Sequence, residues 1–174
     1  TAGNQLPYVD KVLMTLAENL EVLNLRAIAG EYDFQARHID VGKLPVLIEN
    51  TAGGENAMAR RLDRLDRVWD AVGPSGMGFC LDTCHAHAGG IELSDAVARV
   101  LAITGRVDLV HANDSRDTFD SGADRHANLD DGTIGAATIA GIARAAGASV
   151  VVETPGGAEG QGADIALLRK HLAD

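Results

Sequence analysis

The stretch Gly78-Phe-Cys-Leu-Asp-Thr-Cys-His-Ala-His87 opens as a short apolar run and closes on Asp82, Cys84, His85 and His87. Met77 to Leu81 is apolar on successive residues, the pattern of a strand covered by helices on both faces of a parallel sheet. The polar cluster then falls at the C-terminal end of that strand, where α/β barrels and open α/β sheets place their chemistry. Three other runs end the same way: Pro45-Val-Leu-Ile-Glu49, Val107-Asp-Leu-Val-His111 and Ser149-Val-Val-Val-Glu153. Four strands that each close on a carboxylate or an imidazole predict one shared site.

Between these runs the period changes to that of a helix. The pattern predicts strands at 44–49, 77–82, 107–112 and 148–153, with helices over 55–72, 91–104, 133–146 and 163–172. Gly-rich turns separate them at Thr51-Ala-Gly-Gly54, at Gly89-Gly90 and from Pro155 to Gly162. Four βα units of this kind require parallel crossovers. A complete (β/α)8 TIM barrel takes about 250 residues. In these 174 residues only the C-terminal four βα units of an α/β TIM-barrel fold are evident.

The domain division is therefore 1–43, helical or irregular, and 44–174, the C-terminal half of a barrel. In the first part, Val9, Val12, Leu13, Leu16, Leu20 and Leu23 make an apolar stripe between Pro7 and Gly30, which predicts a helix over 7–30. Alternation from Tyr32 to His38 predicts a short half-buried strand, with His38 a strand residue rather than a ligand. The connection from Asn113 to Asp131 is long for a βα loop and carries its own Asp124-Arg125-His126. Loops of that length are functional or mobile.

The bulk composition narrows the class. The chain is 46% hydrophobic and 23% charged, with no run long enough to span a membrane. The opening residues lack a signal-peptide pattern, so the expected location is cytoplasmic. A formal net charge of −10 opposes general binding to phosphates, unless divalent cations cancel several of the carboxylates. Cys80 and Cys84 are expected to be free buried thiols. A Cys-x3-Cys-His zinc site would need further ligands at finger-like spacing, which the sequence lacks.

Glu49, Asp82, His111 and Glu153 offer three carboxylates and one imidazole at the ends of adjacent strands. Converging carboxylates repel in a partly buried pocket, and a divalent cation removes that cost. Mixed nitrogen and oxygen donors suit zinc, manganese or iron better than calcium. His85, Asp124 and His126 supply a second set, so two neighbouring metal sites are expected. Paired metals are a recurring solution for phosphate-ester hydrolysis. His171, in the last turn of the terminal helix, is explained by the helix dipole.

Taken together, Leu47-Ile-Glu-Asn-Thr-Ala-Gly53, Cys80-Leu-Asp-Thr-Cys-His85, His111-Ala-Asn-Asp-Ser115, Asp124-Arg-His126 and Val152-Glu-Thr154 resemble endonuclease IV. That family comprises zinc-dependent apurinic/apyrimidinic endonucleases of the xylose-isomerase-like barrel superfamily. The resemblance runs from about residue 44 to the C-terminus. It implies base-excision repair: cleavage of the phosphodiester 5′ to an abasic site in duplex DNA, by a cluster of up to three zinc ions. It also implies that Glu49 bridges two metals, that Asp82, His111 and Glu153 complete one of them, and that His85, Asp124 and His126 hold another. Glu49, Asp82 and Glu153 are then the catalytic carboxylates, with manganese the alternative metal. His87, Asn113 and Arg125 are candidates for places behind the ligands or facing the substrate.

The family's earlier strands bring two further histidine ligands and loops that push DNA bases aside. Residues 1–43 show neither, and His38 is the single histidine among them. Two other readings compete. Sugar isomerases and epimerases of the same superfamily use a Glu-Asp-His-Glu set around a metal but do not need His85, Asp124 and His126. A catalytically impaired half-barrel would bind metal or pair with another chain. A full barrel is expected to be a monomer, whereas this half alone is expected to associate through its open strand edges.

Overall fold

The computed structural model describes residues 46–54 and 57–173. The expected helix over 7–30, the strand near 32–38, His38 and the start of the first βα unit lie outside them. Four strands form one sheet: β1 (Leu47–Glu49), β2 (Gly78–Asp82), β3 (Leu109–His111) and, last in the chain, β6 (Ser149–Val151). Their order is β1-β2-β3-β6 and every pairing is parallel. The register sets Asp82 opposite His111, and Glu49 opposite Cys80. The chemistry-bearing ends of the strands therefore lie side by side, as the four runs predict.

Helices α1 (Leu62–Val72), α3 (Ala96–Thr104), α4 (Ala136–Ala146) and α5 (Gly157–Ala173) alternate with the strands. Phe79 and Leu81 of β2 pack into a core with Leu65 of α1, Val97 and Val100 of α3, and Ile142 of α4. Trp69 meets Phe79 edge-on, with ring centroids 6.1 Å apart. A second core joins Ala112, Ile139, Ala140 and Leu168 to Val150 and Val152. Because side chains alternate along a strand, sending Phe79 and Leu81 to the helices turns Cys80 and Asp82 to the opposite face. Gly78 is required where β2 begins, since a Cβ there would run into Leu47 and the Asp108 carboxylate.

Helices α1 and α3 begin at Leu62 and Ala96 rather than at 55 and 91, and further features depart from the expected pattern. Helix α2 (Thr83–Ala88) follows β2 without a loop, because the Asp82 side chain caps it by accepting from the His85 amide at 2.8 Å. Six residues are too few to show a helical period. The long connection after β3 is also structured, with β4 (Asp114–Ser115) and β5 (His126–Ala127) pairing antiparallel. Finally, α5 begins at Gly157 rather than 163. Its glycines disfavour a helix by propensity, but Gly160 lets the first turns approach the Pro155 carbonyl, where a Cβ would collide. The buried Asp164 then anchors the helix, accepting from Asn128 Nδ2 at 2.7 Å and from the Leu129 amide at 3.0 Å.

Asp114 organises the loop after β5. Fully buried, it accepts from the amides of Ser115, Asp130, Ile134 and Gly135 at 2.8, 3.2, 2.8 and 3.0 Å. Asp114→Ala is expected to cost about 3 kcal/mol of stability, because buried donors are left without an acceptor. A shift of the urea midpoint at constant slope measures it; an unmoved midpoint contradicts this role.

Candidate metal centre

Each strand end contributes a side chain to one cluster. Glu49 comes from β1, Asp82 from β2, His111 from β3, and Glu153 from just beyond β6. One ligand atom from each lies within 4.8 Å of all the others. His111 Nδ1 is 3.2 Å from Glu49 Oε1, 3.2 Å from Glu153 Oε2 and 3.7 Å from Asp82 Oδ2. Ligands arranged tetrahedrally at zinc bond lengths stand about 3.3–3.4 Å apart. The spacing leaves the four atoms able to share one cation.

The second set sits against the first. His85 Nε2 is 3.1 Å from Asp124 Oδ1, and His126 Nε2 is 3.4 Å from the same oxygen. Asp82 lies between the sets, with Oδ2 3.8 Å from His126 Nε2, and Glu49 Oε1 approaches His85 Nδ1 at 3.1 Å. Backbone carbonyls orient the two rings. His85 Nδ1 pairs with Asn50 O at 2.9 Å and His126 Nδ1 with Glu153 O at 3.3 Å. A ring that donates from Nδ1 leaves its Nε2 lone pair free, the arrangement that metal-bound histidines use.

Four atoms test whether a cation fits. Glu49 Oε1, His85 Nε2, His111 Nδ1 and His126 Nε2 are buried without a hydrogen-bond partner. Their close contacts to one another lack hydrogen-bond geometry. Burial opposes the Glu49 charge, yet His111 and His85 hold its carboxyl down at about 2. Cys80 and Glu49 hold His111 up at about 11. At His85 burial opposes the charge, but Glu49, Asp82 and Asp124 outweigh it and hold the ring at about 9. Burial pushes Asp82 up and Cys84 up to about 12. Without a cation, protons on the imidazoles do the neutralising.

Residues around the donors fix them. Asn113 spans the site, donating from Nδ2 to Asp82 Oδ2 at 2.7 Å and accepting from the Glu153 amide at 2.8 Å. Asn50 and Thr83 extend the strand ladder. Asn50 pairs with both backbone groups of Asp82, and the Thr83 hydroxyl bonds the backbone of Asn113. Sequence reasoning passed over Asn50, Thr83, Asp114 and Asp164; the first three are small polar residues beside a strand end, the one signal available, while Asp164 lies within α5. His87 turns away on α2 to meet Thr133 Oγ1 at 3.1 Å and the Phe119 ring. Arg125 pairs with Asp117 across the hairpin rather than with a donor.

The loop bearing Asp124 is anchored independently of those donors. Arg60 and Arg61 reach Asp120 Oδ1 at 2.9 and 2.8 Å, and the amides of Asp120 and Gly122 bond His87 O and Ala88 O. Chelation is therefore expected to speed amide exchange at 123–126 while leaving 114–117 and 120–122 protected. Uniform protection with and without metal would contradict a ligand role for Asp124.

The family model of the xylose isomerase-like TIM barrel matches residues 12–171. The chain belongs to this family. Its sequence is 56% identical over 129 residues to proteins called probable endonuclease 4 in Mycobacterium bovis (strain BCG / Pasteur 1173P2) and Mycobacterium tuberculosis (strain ATCC 25177 / H37Ra), covering 74% of this chain and 50% of each relative. The protein of that name from Mycobacterium leprae (strain Br4923) is 55% identical over 130 residues, covering 75% of this chain and 51% of its own. The crystal structure of endonuclease IV from Thermus thermophilus aligns with a TM-score of 0.64 at 30% identity, covering 87% of this chain and 55% of that one. The chain thus spans about half the length of the curated relatives it matches. Among the described residues, no helix is long and apolar enough to cross a membrane.

Proposed function

We propose that this chain is the C-terminal, metal-binding half of a phosphodiesterase that cleaves duplex DNA 5′ to abasic sites, within the division 1–43 and 44–174. The observation that carries the reading is the second donor set. His85, Asp124 and His126 adjoin Glu49, Asp82, His111 and Glu153 closely enough that Asp82 and Glu49 approach residues of both. A single-metal isomerase has no use for that second set. The relatives called endonuclease 4 support the same reading.

Zinc, or manganese on the same donors, would supply a nucleophile at neutral pH and a counter-charge for phosphate. The chain does the positioning. Asp82 is fully buried and fixed by Asn113, so it orients rather than reaches. Glu49 is one-third exposed, while Glu153 and Asp124 are more than half exposed, so these carboxylates line the side from which a phosphodiester can approach. Filling both sets would also offset part of the −10 net charge that repels DNA.

The test uses a duplex with one abasic site and its undamaged counterpart. Zinc-loaded protein carrying the whole barrel is expected to nick the damaged strand 5′ to the site, and chelation is expected to abolish nicking. Cleavage that persists without metal, or aldose–ketose interconversion in place of nicking, would overturn the proposal.

A further inference from the structure

Each donor set has a sulfur beside it that this zinc chemistry leaves unused. Cys80 faces the same way as Asp82 but one strand repeat deeper. Its Sγ, a carboxylate oxygen of Glu49 and a ring nitrogen of His111 lie within 4.8 Å of one another. Cys84, on α2 beside His85, forms an equivalent group with Asp124 and His126 within the same limit. Both thiols are buried, at 2% and 0% exposure, and neither is in a disulfide. A buried cysteine is ordinarily just a small apolar residue. These two differ in what they meet, for Glu49 Oε1, His111 Nδ1 and His126 Nε2 are buried with no hydrogen bond to give up.

We propose that Cys80 with His111 and Glu49, and Cys84 with His126 and Asp124, are two soft-metal sites that take thiophilic divalent cations such as cadmium. The proposal rests on the reading that these clusters bind metal and adds sulfur ligands to it. Thiolates select soft cations, whereas carboxylates suit harder ones. Each cadmium displaces the thiol proton to solvent and forms a Cd–S bond. It also takes an imidazole and a carboxylate that the zinc sets need. A soft cation therefore competes with zinc from one layer deeper, drawing His111 away from Asp82 and Glu153.

Cadmium titration of the metal-free chain, followed by sulfur-to-cadmium charge-transfer absorption in the ultraviolet, tests this directly. The band is expected to saturate at two equivalents and to halve in Cys80→Ser and in Cys84→Ser. Zinc stoichiometry, read by competition with an indicator dye, should be unchanged in either variant, since sulfur is no ligand in the zinc sets. Cys80→Ala and Cys84→Ala, with far-UV circular dichroism, guard against misfolding of a serine variant. Cadmium retained by elemental analysis with no such band overturns the proposal, as does a single variant whose band is undiminished. Retention of neither cadmium nor zinc would instead sink the metal reading, and this proposal with it.

Discussion

The Glu49→Ala/Glu153→Ala protein is expected to lose stoichiometric zinc while remaining folded. Zinc held by four protein ligands is worth about 10–16 kcal/mol, so two of them account for about 6 kcal/mol, or roughly ten-thousandfold in affinity. Glu49 matters beyond its own bond because it approaches both His111 and His85, at 3.2 and 3.1 Å. The fold should tolerate the loss. Neither carboxylate caps a helix, and both side chains are partly exposed, so the expected stability change is about 1 kcal/mol or less. Asp82→Asn gives the complementary case. Asparagine still caps α2, and the variant should weaken metal binding without unfolding. Elemental analysis that finds metal undiminished in the double variant would remove these residues from the site.

The parts of the fold legible in the sequence are those in which one physical constraint acts over several residues. Burial on both faces made β2 readable from Phe79, Cys80 and Leu81 alone, and the parallel order followed from strand–helix alternation. The convergence of the strand-end side chains was legible for the same reason, since a parallel register carries chemistry placed at equivalent positions to one edge. What escaped was local and depended on tertiary partners. Helix α2 is a consequence of the Asp82 cap, a residue whose strand-end position pointed only to metal. The start of α5 depends on Asp164 bonding Asn128 and Leu129, residues 35 or 36 positions earlier. Arg125 and His87 look like site residues in their motifs. The hairpin and the turn of α2 direct them to Asp117 and Thr133 instead.

Zinc affinity is expected to rise about a hundredfold between pH 6 and pH 8 for each proton expelled, with close to one proton released from His85 and one from His111. His85 and His111 hold protons up to about pH 9 and 11 in the metal-free protein. Across the neutral range a cation must therefore expel a proton from each, and each expulsion gives about tenfold in affinity per pH unit. Glu49 adds no slope there, because its carboxyl is already ionised above about pH 2. The sign reverses for stability without metal. Raised imidazoles strengthen the fold below their ordinary range, and that contribution fades as pH climbs through 9 and 11; the lowered Glu49 contributes above its ordinary range and is lost toward pH 2. Metal-free protein should thus weaken in base while zinc-loaded protein does not, because zinc replaces the protons as counter-charge. Calorimetry in buffers of different ionisation heat counts the protons, and dye competition gives the affinities. A flat affinity between pH 6 and 8 with no proton release would mean that His85 and His111 do not hold the metal.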